Sequence, residues 1–288
     1  MPEMSNNTLK KITTTILIPL ILIALSTIAS NQYSMQNPLT MAAMTTLAIH
    51  WLIGIPSIMR QTEKLFDITG SIGVWAMLLL IMNTQTTLST RALLLSTLCA
   101  IWTTRLGIFL LIRIQTHKVD KRFNELKKSP NDFFNTWQLS AAWTFITLMC
   151  ALSAITSPKQ VSLNNIDGIL ICLWIMAFLI ECIADIQKFK FKSQKQKTPF
   201  IQSGLWKYSR HPNYLGEIIM WIAIALMSFP NLENRAYISL ISPLFVIVLL
   251  TKISGINLLE KENQKKFKHL KSYQHYVKTT GKLIPKIF

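Results

Sequence analysis

Long apolar runs alternate with short polar, lysine-rich connections along this chain. A helix needs ~20 apolar residues to cross a hydrocarbon core. Eight runs are candidates: 11–30, 38–59, 68–84, 92–114, 137–157, 166–187, 212–229 and 236–256, the third and seventh being short. No stretch keeps an apolar/polar alternation of period two for long, so strands are not expected. The pattern predicts an all-α fold, a polytopic transmembrane bundle of about eight helices, without internal repeats or low-complexity segments.

Charge sharpens this picture. The chain is 50% hydrophobic yet carries a net charge of +17, and its mean hydropathy is +0.34. Those values conflict in a soluble domain and agree in a membrane protein whose loops are basic on one side. With both termini on one side, 26 of the 30 Lys and Arg residues fall there. Arg91, Lys159 and Arg235 fall opposite, and Arg105 lies inside a segment. The positive-inside rule then puts both termini, the basic loops and the basic tail in the cytoplasm. A pI near 9.9 can signal nucleic acid, but these cations are interleaved with apolar runs, so no nucleic-acid partner is expected.

Several chemistries are not supported. No GxGxxG opens a strand-to-helix unit, and P-loop, HExxH, CxxC and GxSxG patterns are missing. Cys99, Cys150, Cys172 and Cys182 sit in apolar segments without metal spacing and read as free, buried thiols. His50, His117, His269 and His275 are scattered, so no metal site is expected. The first apolar run is too long, and lacks the small-residue site, for a cleavable signal peptide.

The organising stretch is 204–221, GLWKYSRHPNYLGEIIMW. It starts in a basic loop and enters an apolar segment, carrying Arg210, His211, Asn213, Tyr214 and Glu217 inward. Ionisable groups at such a depth are costly and usually functional. Pro212 suits the first position of a helix, with His211 as its N-cap. Asn213, Glu217 and Trp221 then share one face. A helix N-terminus beside Arg210 is a seat for phosphate or carboxylate; a basic interfacial anchor is the plainer alternative.

Only thirteen residues are acidic, and their placement is informative. Glu63 and Asp67, then Glu181 and Asp185, fall at or within helix ends on the basic side. Glu181 and Asp185 share a face near an expected helix C-terminus, where the dipole disfavours them, so each needs a cation or a ligand. Arg105 is a candidate counter-ion for Glu217 or for a phosphate. Asp67 or Thr69 is expected to cap the third helix, with Gly70 allowing close packing. The 188–207 loop interleaves Phe189, Phe191 and Phe200 with lysines, reading as a headgroup contact or as a cover over an anionic ligand. In the tail, Phe267, Leu270, Tyr273 and Tyr276 at helical spacing read as a membrane-surface segment that can also close over a site.

From Gln61 onward the chain resembles the steroid 5-alpha-reductase-like integral membrane proteins, in their bacterial branch. The resemblance rests on RHPNYLGE (210–217), TEKLFDITGS (62–71), DKRFNELKKSPNDFFNTWQLSAAW (120–143), ECIADIQKFKFK (181–192) and YVKTTGKLIPKIF (276–288). It divides the chain into weakly matched N-terminal helices (1–60) and a reductase-like domain (61–288), whose half from about 166 would bind the cofactor. The wider superfamily holds sterol reductases using NADPH and isoprenylcysteine carboxyl methyltransferases using S-adenosylmethionine; RHP-x-Y-x-G serves a cofactor in both.

The resemblance implies that Asn213, Tyr214 and Glu217 contact NADPH. Asp185, with Glu181 one turn before it, would hold the nicotinamide or ribose end. Lys192 stands at a basic phosphate contact, and Arg210 and His211 would face the diphosphate or adenosine portion. The proton-donating glutamate belongs to a Gln-Glu pair in the family; here Gln61 and Glu63 are separated by Thr62. The family's tyrosine four residues after an arginine is replaced, since Phe109 follows Arg105. A phenylalanine cannot polarise a carbonyl as a phenol does, so the cofactor half of the pattern is kept and the steroid-specific half is not. What is expected is an NADPH-dependent reductase of a carbon–carbon double bond in a lipophilic, sterol-like or polyprenoid substrate, in a bacterial inner membrane. Glu63 would be its acid, with Gln61. The alternatives are a methyltransferase using S-adenosylmethionine and a non-catalytic lipid-binding membrane protein.

Overall fold

The computed structural model describes residues 6–31, 34–117, 123–193 and 198–286, with side chains from Thr14 onward and excepting His117. Lys10, Lys11, Lys118, Lys121, Arg122, Lys195 and Lys197, which enter the charge bias, lie outside the described side chains.

The helices are α1 (Asn6–Ala29), α2 (Pro38–Met59), α3 (Phe66–Thr84), α4 (Thr90–His117), α5 (Pro130–Ile155), α6 (Asn165–Ser193), α7 (Pro212–Ser228), α8 (Ile241–Val248), α9 (Ile256–Phe267) and α10 (Lys271–Thr279). Among the described residues there is no strand, and one isolated bridge joins Ser209 to Gly281. Among the same described residues, seven helical stretches are long and apolar enough to cross a membrane, and 14–29 of α1 is a shorter apolar helix.

Proline and a small polar cap start the helices where the sequence offers both. Asn37 caps α2 by accepting from the Thr40 N–H, with Pro38 in the first turn. Ser129 does the same for α5, accepting from Asp132 ahead of Pro130. The third helix departs from expectation. Leu65 is its N-cap without a side-chain bond. Thr69 Oγ1 instead donates to the Leu65 carbonyl at 2.6 Å, and Asp67 is ion-paired with Arg113 of α4 at 2.7 Å. A long-range cation outbid the local backbone for that carboxylate.

The chain divides into two compact units, 1–163 with 228–242 and 164–227 with 243–288. In the first, α5 packs on α1, α2, α3 and α4. Its most apolar window is 72% buried, the most of any span. The approach of α2 is close because Gly54 lies on the Trp137 ring, 2.9 Å from where a Cβ would stand. The α3–α4 approach is made by Gly107 against Ser71; Gly70 has ordinary contacts with Trp143 and Thr144, so the tight α3 position is not the one expected. Trp137, Phe133 and Phe123 form a buried aromatic cluster with Phe66 against it. Arg91, fully buried, donates to the carbonyls of Val161 at 3.1 Å and Ser162 at 3.0 Å.

In the second unit α6 runs past the expected end at 187 to Ser193. Nothing in KFKFKS breaks a helix, and the lysines suit a C-terminus. Glu181 and Asp185 are therefore mid-helix, two turns or more from the dipole's negative end. The last expected span, 236–256, is a composite. A 3-10 turn (Asn234–Leu240) leads into α8, followed by a π turn (Leu249–Ile253). Ser254 closes that turn by donating to the Leu249 carbonyl at 3.0 Å. Gly255 then lies against the Leu250 backbone, where a Cβ would not fit. Of the four cysteines expected to be buried, only Cys99 and Cys150 are; Cys172 is exposed and Cys182 half-buried. Cys172 lies on the outward side of α6, and an apolar segment is no guarantee of burial against protein.

Candidate functional site

The second unit gathers the sequence-predicted polar residues around the start of α7. α6 and α7 touch backbone to backbone there. A Cβ on Gly216 would stand 2.6 Å from the Ala177 carbonyl and 2.9 Å from the Glu181 nitrogen. This approach brings Asn213 to Asp185, whose Oδ1 accepts from Asn213 Nδ2 at 3.1 Å. Asp185 and Glu181 are both buried. Tyr214 stacks on His211 with centroids 5.8 Å apart and planes within 5°.

The chain arrives at α7 on a rigid approach. Gly204 has φ +61°, the left-handed region that favours glycine, and its Cα faces the Gln187 side chain. Gln187 Oε1 accepts the Leu205 N–H at 3.0 Å. The Trp206 indole N–H donates to the Ala184 carbonyl at 3.1 Å, and the Lys188 ammonium lies 4.9 Å from its ring centroid. His211 gives its carbonyl to the Leu215 N–H at 3.1 Å, as a residue just before the helix should.

The tail locks the approach. Tyr276 donates to the Trp206 carbonyl at 2.7 Å, Ser209 to Leu283 at 2.6 Å and Thr280 to Lys207 at 3.2 Å. The Arg210 N–H donates to Gly281 at 2.9 Å. Phe200, Tyr273 and Tyr276 are buried together, with Phe267 and Leu270 against them. The aromatic face of the tail thus packs on the preceding loop instead of facing lipid. A break between α9 and α10 replaces one continuous surface helix.

Glu260 is the residue that sequence reasoning missed. Its Oε2 accepts from Arg210 Nη1 at 2.6 Å and its Oε1 meets His211 Nε2 at 2.9 Å. The available signal was one of two acids, with Glu262, in a strongly basic tail. Burial holds His211 below its ordinary pKa of 6.5, partly offset by Glu260. Three buried polar atoms at the start of α7 remain without a partner: Arg210 Nε, His211 Nδ1 and Asn213 Oδ1. Such orphans cost free energy unless something completes them. Because the neutral His211 ring gives its Nε2–H to Glu260, these atoms are one donor, Arg210 Nε, and two acceptors beside a helix N-terminus, a set suited to a phosphate oxygen and to hydroxyl or amide N–H groups. Glu217 lies half-buried one turn further in, and Lys192 is exposed near the end of α6.

The other predicted residues belong to the first unit. Glu63 is buried and ion-paired with Lys127 at 2.6 Å. Gln61 is exposed, has φ +49°, and lines a cavity of about 260 Å³ with Asn124, Lys127 and Lys128. Arg105 lies over the Phe109 ring, 5.4 Å from its centroid.

Among the described residues, seven apolar helices long enough to cross a bilayer, and polar side chains buried at the mouth of one of them, define a polytopic all-α integral membrane protein. Residues 50–280 match a family model described as proteins of unknown function, DUF1295, and the chain belongs to that family. No curated protein and no solved structure matches the chain.

Proposed function

We propose that this protein is an NADPH-dependent reductase of a lipophilic carbon–carbon double bond, of the steroid 5-alpha-reductase-like kind. The observation that carries the reading is the cluster of unpartnered polar atoms on Arg210, His211 and Asn213 at the start of α7. NADPH would supply the hydride. Arg210 Nε and the first N–H groups of α7 would hold its phosphates, and His211 Nδ1 would accept from a hydroxyl or amide donor. Asn213 Oδ1, Asp185, Glu181 and Glu217 are acceptors for its hydroxyl and amide donors, Tyr214 adds a stacking ring, and Lys192 a second cation. Glu63, ion-paired with Lys127, and Gln61 belong to the first unit, and this reading assigns them no part in the α7 cluster. The basic loops support a cytoplasmic cofactor side under the positive-inside rule, and a bacterial inner membrane would suit it. Membrane lipid surrounds the helices, and a sterol-like or polyprenoid substrate is of the right polarity to arrive from it.

Detergent-purified protein should melt higher with NADPH, because a ligand bound only by the folded state stabilises it, by about 2.7 kcal/mol at a hundredfold excess over Kd. Glu217→Ala should remove that shift. A shift with S-adenosylmethionine and none with NADPH would replace this reading with a methyltransferase. No shift with either would leave a lipid-binding protein. NADPH oxidation on adding fractionated membrane lipid identifies the substrate.

A further inference from the structure

On α6 the side chains of Met176, Leu179, Ile183 and Ile186 are each 45–56% exposed. Their spacing of three, four and three puts them in one line along the helix. Four residues further the same line reaches Lys190, also exposed. Lys190 lines a cavity of about 480 Å³ together with Gln187, Phe191, Thr198, Gln202 and Ser203. An apolar track therefore leads to a cavity at the basic end of the helix, where Phe191 and Ile201 stand beside the polar lining groups.

The lining has a chemical preference. Among the described residues it holds one ammonium, two carboxamides, two hydroxyls and no acid. The Gln187 oxygen is engaged by the Leu205 N–H at 3.0 Å, which leaves its amide N–H groups as the donors. Donors and a cation match phosphate oxygens, and the hydroxyls and the Gln202 amide match a hydroxylated headgroup. A quaternary ammonium would find no carboxylate here. We propose that this cavity is a headgroup site for an anionic phospholipid, with one acyl chain along the Met176–Ile186 track.

Native mass spectrometry of the detergent-purified full chain tests it, titrating phosphatidylglycerol against phosphatidylcholine. Phosphatidylglycerol should bind at least about fivefold tighter, the weight of one cation near anionic lipid. Lys190→Glu should abolish that preference, and so should Gln202→Glu, which places an acid in the cavity. Both side chains are exposed, so neither change disturbs packing. Lys271→Glu, the same charge reversal on α10, should keep it. A preference that survives both cavity variants, or that falls equally in Lys271→Glu, overturns the site. Glycerol phosphate binding as tightly as the lipid would make the ligand a soluble phosphate ester and overturn the lipid assignment.

Discussion

Glu260 and Arg210 meet at 2.6 Å although fifty positions separate them in the chain. The same carboxylate also engages His211 at 2.9 Å. Arg210 and His211 side chains are only 12% and 3% exposed, so removing the acid strands a buried cation. Glu260→Ala should therefore destabilise the protein by about 2 kcal/mol, somewhat below the cost of breaking a fully buried pair. Glu260→Leu combined with Arg210→Met should recover part of that loss, because neither charge is then desolvated. Melting temperatures of the two variants in one detergent decide it; a double variant less stable than the single one would contradict the pairing.

His211 gives the protein a pH-dependent margin. Burial lowers its folded pKa below the ordinary 6.5, so the unfolded chain takes up a proton first as the pH falls. The stability held by neutral His211 is complete above 6.5 and declines as the pH drops from there toward the folded pKa. Carboxylates contribute losses of the same sign at lower pH, so the comparison must be with a variant. Melting temperature followed from about pH 8 to pH 5, where histidine titrates, should fall for the wild type. It should fall less for His211→Gln.

The membrane helices were legible because their signal is local. Pro38, Met59, Thr84 and Pro212 bound helices where the apolar runs turn polar or where proline sits first. Legibility ended where a decision depended on a distant partner. Asp67 reads as a cap by every neighbouring residue, yet Arg113, forty-six positions on, takes it. The composite last span was hidden because apolar periodicity does not distinguish α from 3-10 or π winding over one turn. At the site, Arg210–Glu217 announced itself by polar residues entering an apolar run. Glu260 carried no such mark, since its position beneath Arg210 follows from the turn at Gly255 and the fold of the tail.

The tail's aromatic face predicts a second measurable dependence. The Tyr276 hydroxyl donates to the Trp206 carbonyl at 2.7 Å in a buried setting, and burial pushes its phenol pKa up. Tyr276→Phe leaves that carbonyl unsatisfied and should cost about 1 kcal/mol. Phe200→Ala removes a ring packed on Tyr273, Tyr276 and Phe267 and should cost about 3 kcal/mol. Both should speed tryptic cleavage at the tail lysines, Phe200→Ala the more. Unchanged cleavage in Phe200→Ala would mean that the tail is held by its backbone hydrogen bonds alone.

Two glycines, Gly216 in α7 and Gly168 in α6, should respond oppositely to the same change. Gly216 has no room for a methyl group: its Cβ would stand 2.6 Å and 2.9 Å from backbone atoms of Ala177 and Glu181. Backbone cannot swing aside as a side-chain end can, so Gly216→Ala must part the two helices, at about 1–3 kcal/mol. Parting them also stretches the 3.1 Å bond from Asn213 to Asp185, so the NADPH-induced shift should shrink along with the melting temperature. Gly168, in the first turn of α6, has nothing within 4 Å of its Cβ position. Gly168→Ala should be neutral or stabilising by up to about 1 kcal/mol, the helix-propensity gain of alanine, and leave ligand shifts unchanged. Equal effects at the two positions would show that the contact at Gly216 does not set the spacing of the helices.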